Sequence, residues 1–179
     1  THLFDARLDA GIQSILAPLN GKKDDLLLRA FAMEMEREKI SVTTLTGFLP
    51  SLLAEEGLMT RGITATEEAD IRWGWEMAKQ IGALDIGQCV VVRNGVLLAV
   101  EAIEGTDAAI LRGGALGRES AVVVKCLKPH QDVRFDLPTV GPKTIQTMID
   151  VKAAVLAVEA KQTLMLEKET TLNMARQAH

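Results

Sequence analysis

The chain has 179 residues, a formal net charge of −4, and 47% apolar against 25% charged residues, a balance that excludes whole-chain disorder. Aromatics at 3%, with no Tyr, give no stacking platform for a general nucleic-acid binder, and two cysteines are too few for a disulfide scaffold. No apolar run approaches the length of a membrane span. The start at Thr1 is neither an initiator Met nor a secretory leader, so the chain reads as a piece of something longer.

Leu8, Ile12, Ile15 and Leu16 recur at helical spacing and predict a helix over 6–19. A second helix is predicted over 24–39. Asp24 and Asp25 suit its N-terminal end, and Leu27, Leu28, Phe31, Ala32 and Met35 line one face. The alternating, β-branched run 40–45 reads as a strand, and a short apolar helix follows around 48–54. Residues 55–67 are rich in turn formers and weak in periodicity, the best linker. A helix then starts at Thr66-Glu67-Glu68 and stops at Gly82.

Beyond Asp85 the pattern turns to β. Residues 88–93 and 96–102 flank Asn94-Gly95, the two-residue hairpin signal, because both turn positions need positive φ. A short helix is expected from Asp107 to Arg112, ended by Gly113-Gly114. The continuous apolar run 121–127 reads as a buried strand, and 133–137 as a short one. Pro142 sits at the favoured first-turn position of a helix to Asp150. Strands at 153–158 and 164–166 and a helix at 167–177 complete the pattern. Cys89 and Cys126 fall on predicted strands and read as core thiols, while Trp73 and Trp75 point to different faces of their helix.

Three polar clusters carry the candidate chemistry. Glu101, Glu104 and Asp107, with Gly105 and Thr106 between them, lie where a strand ends and a helix begins. Crowded carboxylates invite a hard divalent cation, and the helix amides suit an anion; the plainer reading is a helix cap. The second cluster runs from Lys125 through Lys128, His130, Gln131, Asp132 and Arg134 to Asp136. If 132–136 is extended, Asp132, Arg134 and Asp136 share one face, the mixture of cations and carboxylates that phosphoryl chemistry uses. A surface ion-pair ladder would look the same, and His130 beside Pro129 reads as solvent-facing. Thr139-Val-Gly141-Pro142-Lys143 resembles a phosphate loop only superficially, since Pro142 separates the Gly from the Lys.

The order of the clusters is more specific than any one of them. Gly87-Gln88, Glu101-Ala-Ile-Glu104-Gly-Thr-Asp107, Lys125-Cys-Leu-Lys128-Pro-His-Gln-Asp132-Val-Arg134-Phe-Asp136 and Ala157-Val-Glu-Ala160 together resemble the UDP-2,3-diacylglucosamine pyrophosphatases of lipid A biosynthesis. The family meant is the one unrelated to the calcineurin-like metallophosphatases. The resemblance implies a Rossmann-like N-terminal domain and a C-terminal α/β domain, with the substrate held between them. It implies hydrolysis to UMP and 2,3-diacylglucosamine 1-phosphate with Mg²⁺ or another divalent cation, water attacking the sugar-side phosphorus. Asp132 falls on the family's key acidic position.

The expected fold is therefore α/β: a Rossmann-like remnant at 1–60, a linker and connecting helix at 61–83, and a compact catalytic domain at 84–179 with a mixed sheet and a β-hairpin at its start. The expected catalytic residues are Asp132, Asp107 and Gln131. Lys125, Lys128, Arg134, Gly105, Thr106 and Thr139 are expected to bind substrate. Asp132, Asp107, Glu101, Glu104 and Asp136 are the expected metal ligands. The expected partner is a lipid-linked sugar nucleotide and not nucleic acid, in the cytoplasm with peripheral contact to the inner membrane, with a homodimer as the expected assembly. Met33, Met35, Met59 and Met77 are candidates for an apolar slot. Two competing readings are a non-catalytic binding module for sugar nucleotide or phospholipid headgroups, and a general Mg²⁺-dependent nucleotide-sugar hydrolase.

Overall fold

The computed structural model describes residues 24–178. The helix expected over 6–19 lies outside the described residues. Among the described residues there are five α-helices: α1 (Asp24–Arg37), α2 (Ala65–Ala83), α3 (Thr106–Gly117), α4 (Pro142–Asp150) and α5 (Lys168–Ala178). The strands are β1 (Cys89–Arg93), β2 (Val96–Val100), β3 (Val122–Lys125), β4 (Thr139–Val140), β5 (Val155–Val158) and β6 (Leu164–Met165). No described helix is long and apolar enough to cross a membrane.

The chain divides into two compact units. One takes residues up to Thr44 together with Asp132–Phe135, and the other takes Leu45–Gln131 and Asp136 onward. In the first unit, Ala32 of α1 is fully buried, but Phe31 and Met33 are largely exposed. The run 40–45 keeps its alternation of exposed and half-buried residues yet forms no strand. A strand needs a ladder partner for its amides, and none pairs with it among the described residues.

The second unit holds the α/β core, a mixed sheet of order β2-β1-β3-β5. β1 pairs antiparallel with β2 and β3, and β3 pairs parallel with β5. Successive side chains point to opposite faces, which divides the core in two. Val90, Val92, Val122 and Val124 meet α2, whereas Cys89, Val91 and Val123 pack with Ile110 of α3 and Met148 of α4. Both cysteines are buried and free, as expected. Trp73 and Trp75 both pack against the α2-side cluster rather than parting to different surroundings. The hairpin is built as expected, with Asn94 at φ 49 and Gly95 at φ 73. Asp70 of α2, itself buried, accepts both turn amides at 2.7 Å. β4 and β6 form a separate parallel pair, and Leu53 bridges to Leu164.

Several expectations are corrected. The segment 48–54 makes a 3₁₀ turn at Pro50–Leu52 instead of an α-helix. Helix α2 begins at Ala65, one residue earlier than expected, capped by Thr64, whose hydroxyl accepts the Glu67 amide while Glu67 reaches back to the Thr64 amide. Gly82 does not stop α2. It lies inside the helix because a Cβ there would stand 3.3 Å from the Lys128 Cα. Gly113 and Gly114 likewise continue α3, because Val91 and Val151 press on them too closely for any side chain.

Candidate functional site

The carboxyl end of β3 and the N-termini of α3 and α4 meet at one place. Lys125 ends β3 and is buried, with 6% of its surface exposed. Its ammonium donates to Thr106 Oγ1 at 3.0 Å and to the Thr139 carbonyl at 2.9 Å. An ammonium has three donors, so these two contacts orient it and leave one N–H for a ligand. Thr106 is the first residue of α3 and passes the chain on, donating to Glu101 Oε1 at 2.6 Å. Glu101, also buried, accepts the Gln88 amide on its other oxygen at 3.1 Å. A buried cation and a buried anion are thus joined through one hydroxyl, which compensates both charges.

Two glycines allow this geometry. Gly87 lies so close to the Glu101 carbonyl that any Cβ would collide with it. Gly105, with φ 84, turns the chain into α3 without a side-chain cap. The first-turn amides of α3 therefore keep their capacity for an anion. Across the gap, Asp107 of α3 pairs with Lys143 of α4 at 2.8 Å, and this carboxylate raises the Lys143 pKa. The side-chain oxygen of Gln88 is buried at the same end without a hydrogen-bond partner.

The other expected site residues are placed differently. Glu104 pairs with Arg112 at 2.6 Å, and hydrogen bonds from its own backbone and from Arg112 lower its pKa. Lys128 pairs with Asp85 at 3.0 Å. Gln131 donates to Asp136 and receives the Lys128 amide at 3.3 Å. His130 is exposed.

Asp132 and Arg134 belong to the first unit. The segment 133–137 is not a strand: the Phe135 amide closes a turn on the Asp132 carbonyl, and the Asp132 side chain accepts the Arg134 amide at 3.1 Å. The shared extended face of Asp132, Arg134 and Asp136 therefore does not exist. Arg134 instead folds back on Asp132, Nη2 to Oδ2 at 2.8 Å, and its other end reaches Glu36 at 2.8 Å. The guanidinium holds the Asp132 carboxyl below its usual range. Among the described residues no three His, Cys, Asp or Glu side chains gather into a metal-ligand set.

A second feature borders the same sheet. A cavity of about 650 Å³ runs along β5, lined by Leu58, Met59, Trp75, Val155, Ala157 and Leu172 among others. Its volume lies within the range of small-molecule sites, about 300–1,000 Å³. The charged residues in its lining, Glu55, Arg61, Glu119 and Lys152, are all ion-paired, and the larger part of the lining is apolar. Met59 is the one member of the expected methionine slot that lines it; Met77 packs in the α2-side core.

The sequence pointed to Glu101, Thr106, Lys125 and Thr139, which the fold brings together. It missed Gln88 and Lys143 as members of the same end. Lys143 carried a visible signal, a lysine one residue after a helix-opening Pro, but the broken phosphate-loop pattern hid it.

In this α/β domain a buried lysine lies beside the uncapped N-terminus of α3 and the Pro-started N-terminus of α4, an arrangement with the chemistry to hold an anion, and a cavity with a largely apolar lining borders the same sheet. Residues 55–179 match the family model described as the LpxI C-terminal domain. The chain is 36% identical over 163 residues to the UDP-2,3-diacylglucosamine pyrophosphatase LpxI of Caulobacter vibrioides, a match covering 86% of this chain and 58% of that protein. The chain belongs to the LpxI family, and it spans 58% of the length of this relative.

Proposed function

We propose that this chain takes part in hydrolysing the diphosphate of UDP-2,3-diacylglucosamine, releasing UMP and 2,3-diacylglucosamine 1-phosphate for lipid A biosynthesis. The observation that carries this reading is the Lys125–Thr106–Glu101 chain at the joined N-termini of α3 and α4. It offers one oriented ammonium donor and uncapped helix amides to a diphosphate, which is where charge develops as a phosphorus–oxygen bond breaks. Lys125, Lys128 and Arg134 supply positive charge to the phosphate oxygens, helped by Gly105, Thr106 and Thr139. Asp132, Asp107 and Gln131 are assigned the remaining roles in the reaction, the carboxylates orienting water. Water attacks the sugar-side phosphorus, its oxygen stays on the sugar phosphate, and UMP leaves with the bridging oxygen. The apolar cavity along β5 takes acyl chain.

The residues fit a divalent cation in one way. Mg²⁺ is commonly held by one or two carboxylates plus substrate phosphates, with water completing its shell, and this needs no preformed cage. Asp107 and Asp132 would be the carboxylates for that role, exchanging their ion pairs to Lys143 and Arg134 for the cation, with Glu101, Glu104 and Asp136 as the further candidates. When bound, the ion would neutralise diphosphate charge. The enzyme would work in the cytoplasm at the inner membrane face.

The test is UMP release from UDP-2,3-diacylglucosamine by the full-length protein, with and without Mg²⁺. Asp132→Ala is expected to lose at least about 100-fold in rate, the order of a lost positioned catalytic group. Full activity in that variant removes Asp132 from the mechanism. Tight binding of the substrate without turnover in the unaltered protein would favour the binding-module reading.

A further inference from the structure

The loop that leaves β3 carries Lys128 and Gln131 and leads into Asp132, so its exit direction decides where those side chains can reach. Two charged residues with no site role assigned above grip that exit: Lys79, which lies in none of the motifs, and Glu159, the acidic residue of the Ala157–Ala160 run. Lys79, in the penultimate turn of α2, donates to the Leu127 carbonyl at 2.9 Å. Glu159, immediately after β5, accepts the Leu127 amide at 2.8 Å. The same Glu159 oxygen receives the Lys79 ammonium at 2.8 Å, so the two clamping residues also hold each other.

Both polar groups of one loop residue are therefore fixed by opposite charges, each projecting from a different element of the core. Hydrogen bonds to charged partners are the strong ones, and here they are partly shielded, with 30% and 22% of the two side chains exposed. Two further contacts steady the arrangement. The Lys79 ammonium stands 5.5 Å from the centre of the Trp75 ring. One turn on, Gly82 lets α2 lie directly against Lys128 and Pro129. A surface ion pair alone would not need a backbone residue at its centre.

We infer that Lys79 and Glu159 are positioning residues that set the exit of β3 and hold the Lys128–Gln131 loop in place for the reaction. Neither touches the diphosphate site built on Lys125; they act through Leu127. The kinetic part of this inference rests on the proposed hydrolase reading, whereas the clamp itself does not.

The experiment compares Lys79→Met, Lys79→Arg and Glu159→Gln in the full-length protein, well below their melting temperatures. Hydrogen exchange is read at residues 127–131 and, as an internal control, in β1. Lys79→Met and Glu159→Gln are expected to exchange about tenfold faster at 127–131, the factor for one lost charged hydrogen bond, with β1 unchanged. On UDP-2,3-diacylglucosamine, Lys79→Met is expected to lose on the order of 10- to 100-fold in kcat, the range for a misplaced reacting group. Lys79→Arg, which reaches both Leu127 and Glu159, is expected to recover most of it. Unchanged exchange at 127–131 overturns the clamp. Faster exchange with unaltered kcat, or Lys79→Arg as slow as Lys79→Met, overturns the positioning role. If the unaltered protein does not turn over this substrate, the hydrolase reading fails and the exchange data alone decide the clamp.

Discussion

The two ends of the sheet's parallel half are made by opposite means. At the carboxyl end of β3 every charged group is tied: Lys125 to Thr106 and Thr139, Glu101 to Thr106 and Gln88, Asp107 to Lys143. Along β5 the wall is mostly apolar and the space is defined by what does not fill it. The first region gains its specificity from hydrogen bonds that orient donors before any ligand arrives. The second gains it from shape, and tolerates variation in what it holds. A polar headgroup with apolar tails needs one region of each kind on one scaffold.

The strongest way to break this contrast is Lys125→Met. It removes the oriented ammonium and leaves Glu101 buried without its charge partner. The expected result is loss of UMP release below detection and a destabilisation of about 3–5 kcal/mol by urea denaturation. The double variant with Glu101→Gln should recover much of the stability and none of the activity. A weaker effect is expected in the cavity from Ala175→Phe, which projects a ring from α5 into the apolar space. KM for the long-chain substrate should rise about tenfold, a few buried methylenes' worth, while a short-chain analogue is unaffected.

Acid sharpens the comparison at the wall of the cavity, where Arg61 lies. The Arg61 guanidinium pulls the Glu67 carboxyl down to about 2 from its ordinary value of 4.5. Because the folded value is the lower, the stability this pair supplies is complete above 4.5 and is lost as pH falls from 4.5 toward 2. Glu67→Gln should flatten that part of the stability–pH curve, read by thermal melts across the range. The smallest effect on stability is expected from Lys143→Met. Its side chain is 86% exposed, so the melting temperature should barely move. KM should still rise, because the charge sits at the helix ends that face the anion.

How much of this was written in the sequence depends on whether the cause was local. The Asn94-Gly95 turn, the Pro142 start and the valine-rich run of β3 are local, and each formed where expected. The glycines misled. Gly82, Gly113 and Gly114 read as stops because helix propensity is local, whereas their use is to let α2 and α3 press against distant residues. The strand expected over 40–45 has the right alternation but no partner in the described residues, and pairing is a tertiary property. In the site, Glu101, Thr106 and Lys125 were legible because strand ends and helix starts are. The clamp on Leu127 was not, since Lys79 and Glu159 stand 80 residues apart, and although Glu159 falls in the Ala157–Ala160 run, nothing local ties it to Lys79. The turn at Asp132–Phe135 was missed because Asp132 competes for the backbone with its own side chain.

The parallel pairing of β3 with β5 also demands a crossover. The β1–β2 hairpin closes over two residues, and β3 then adds antiparallel to β1. β5 can join only after the chain from 126 to 154, with α4 inside it, has come round. Closing that segment costs chain entropy, and the same segment carries Thr139 and Lys143 to Lys125 and Asp107. The strand that walls the cavity and the contacts that complete the charged end are thus delivered by one crossover.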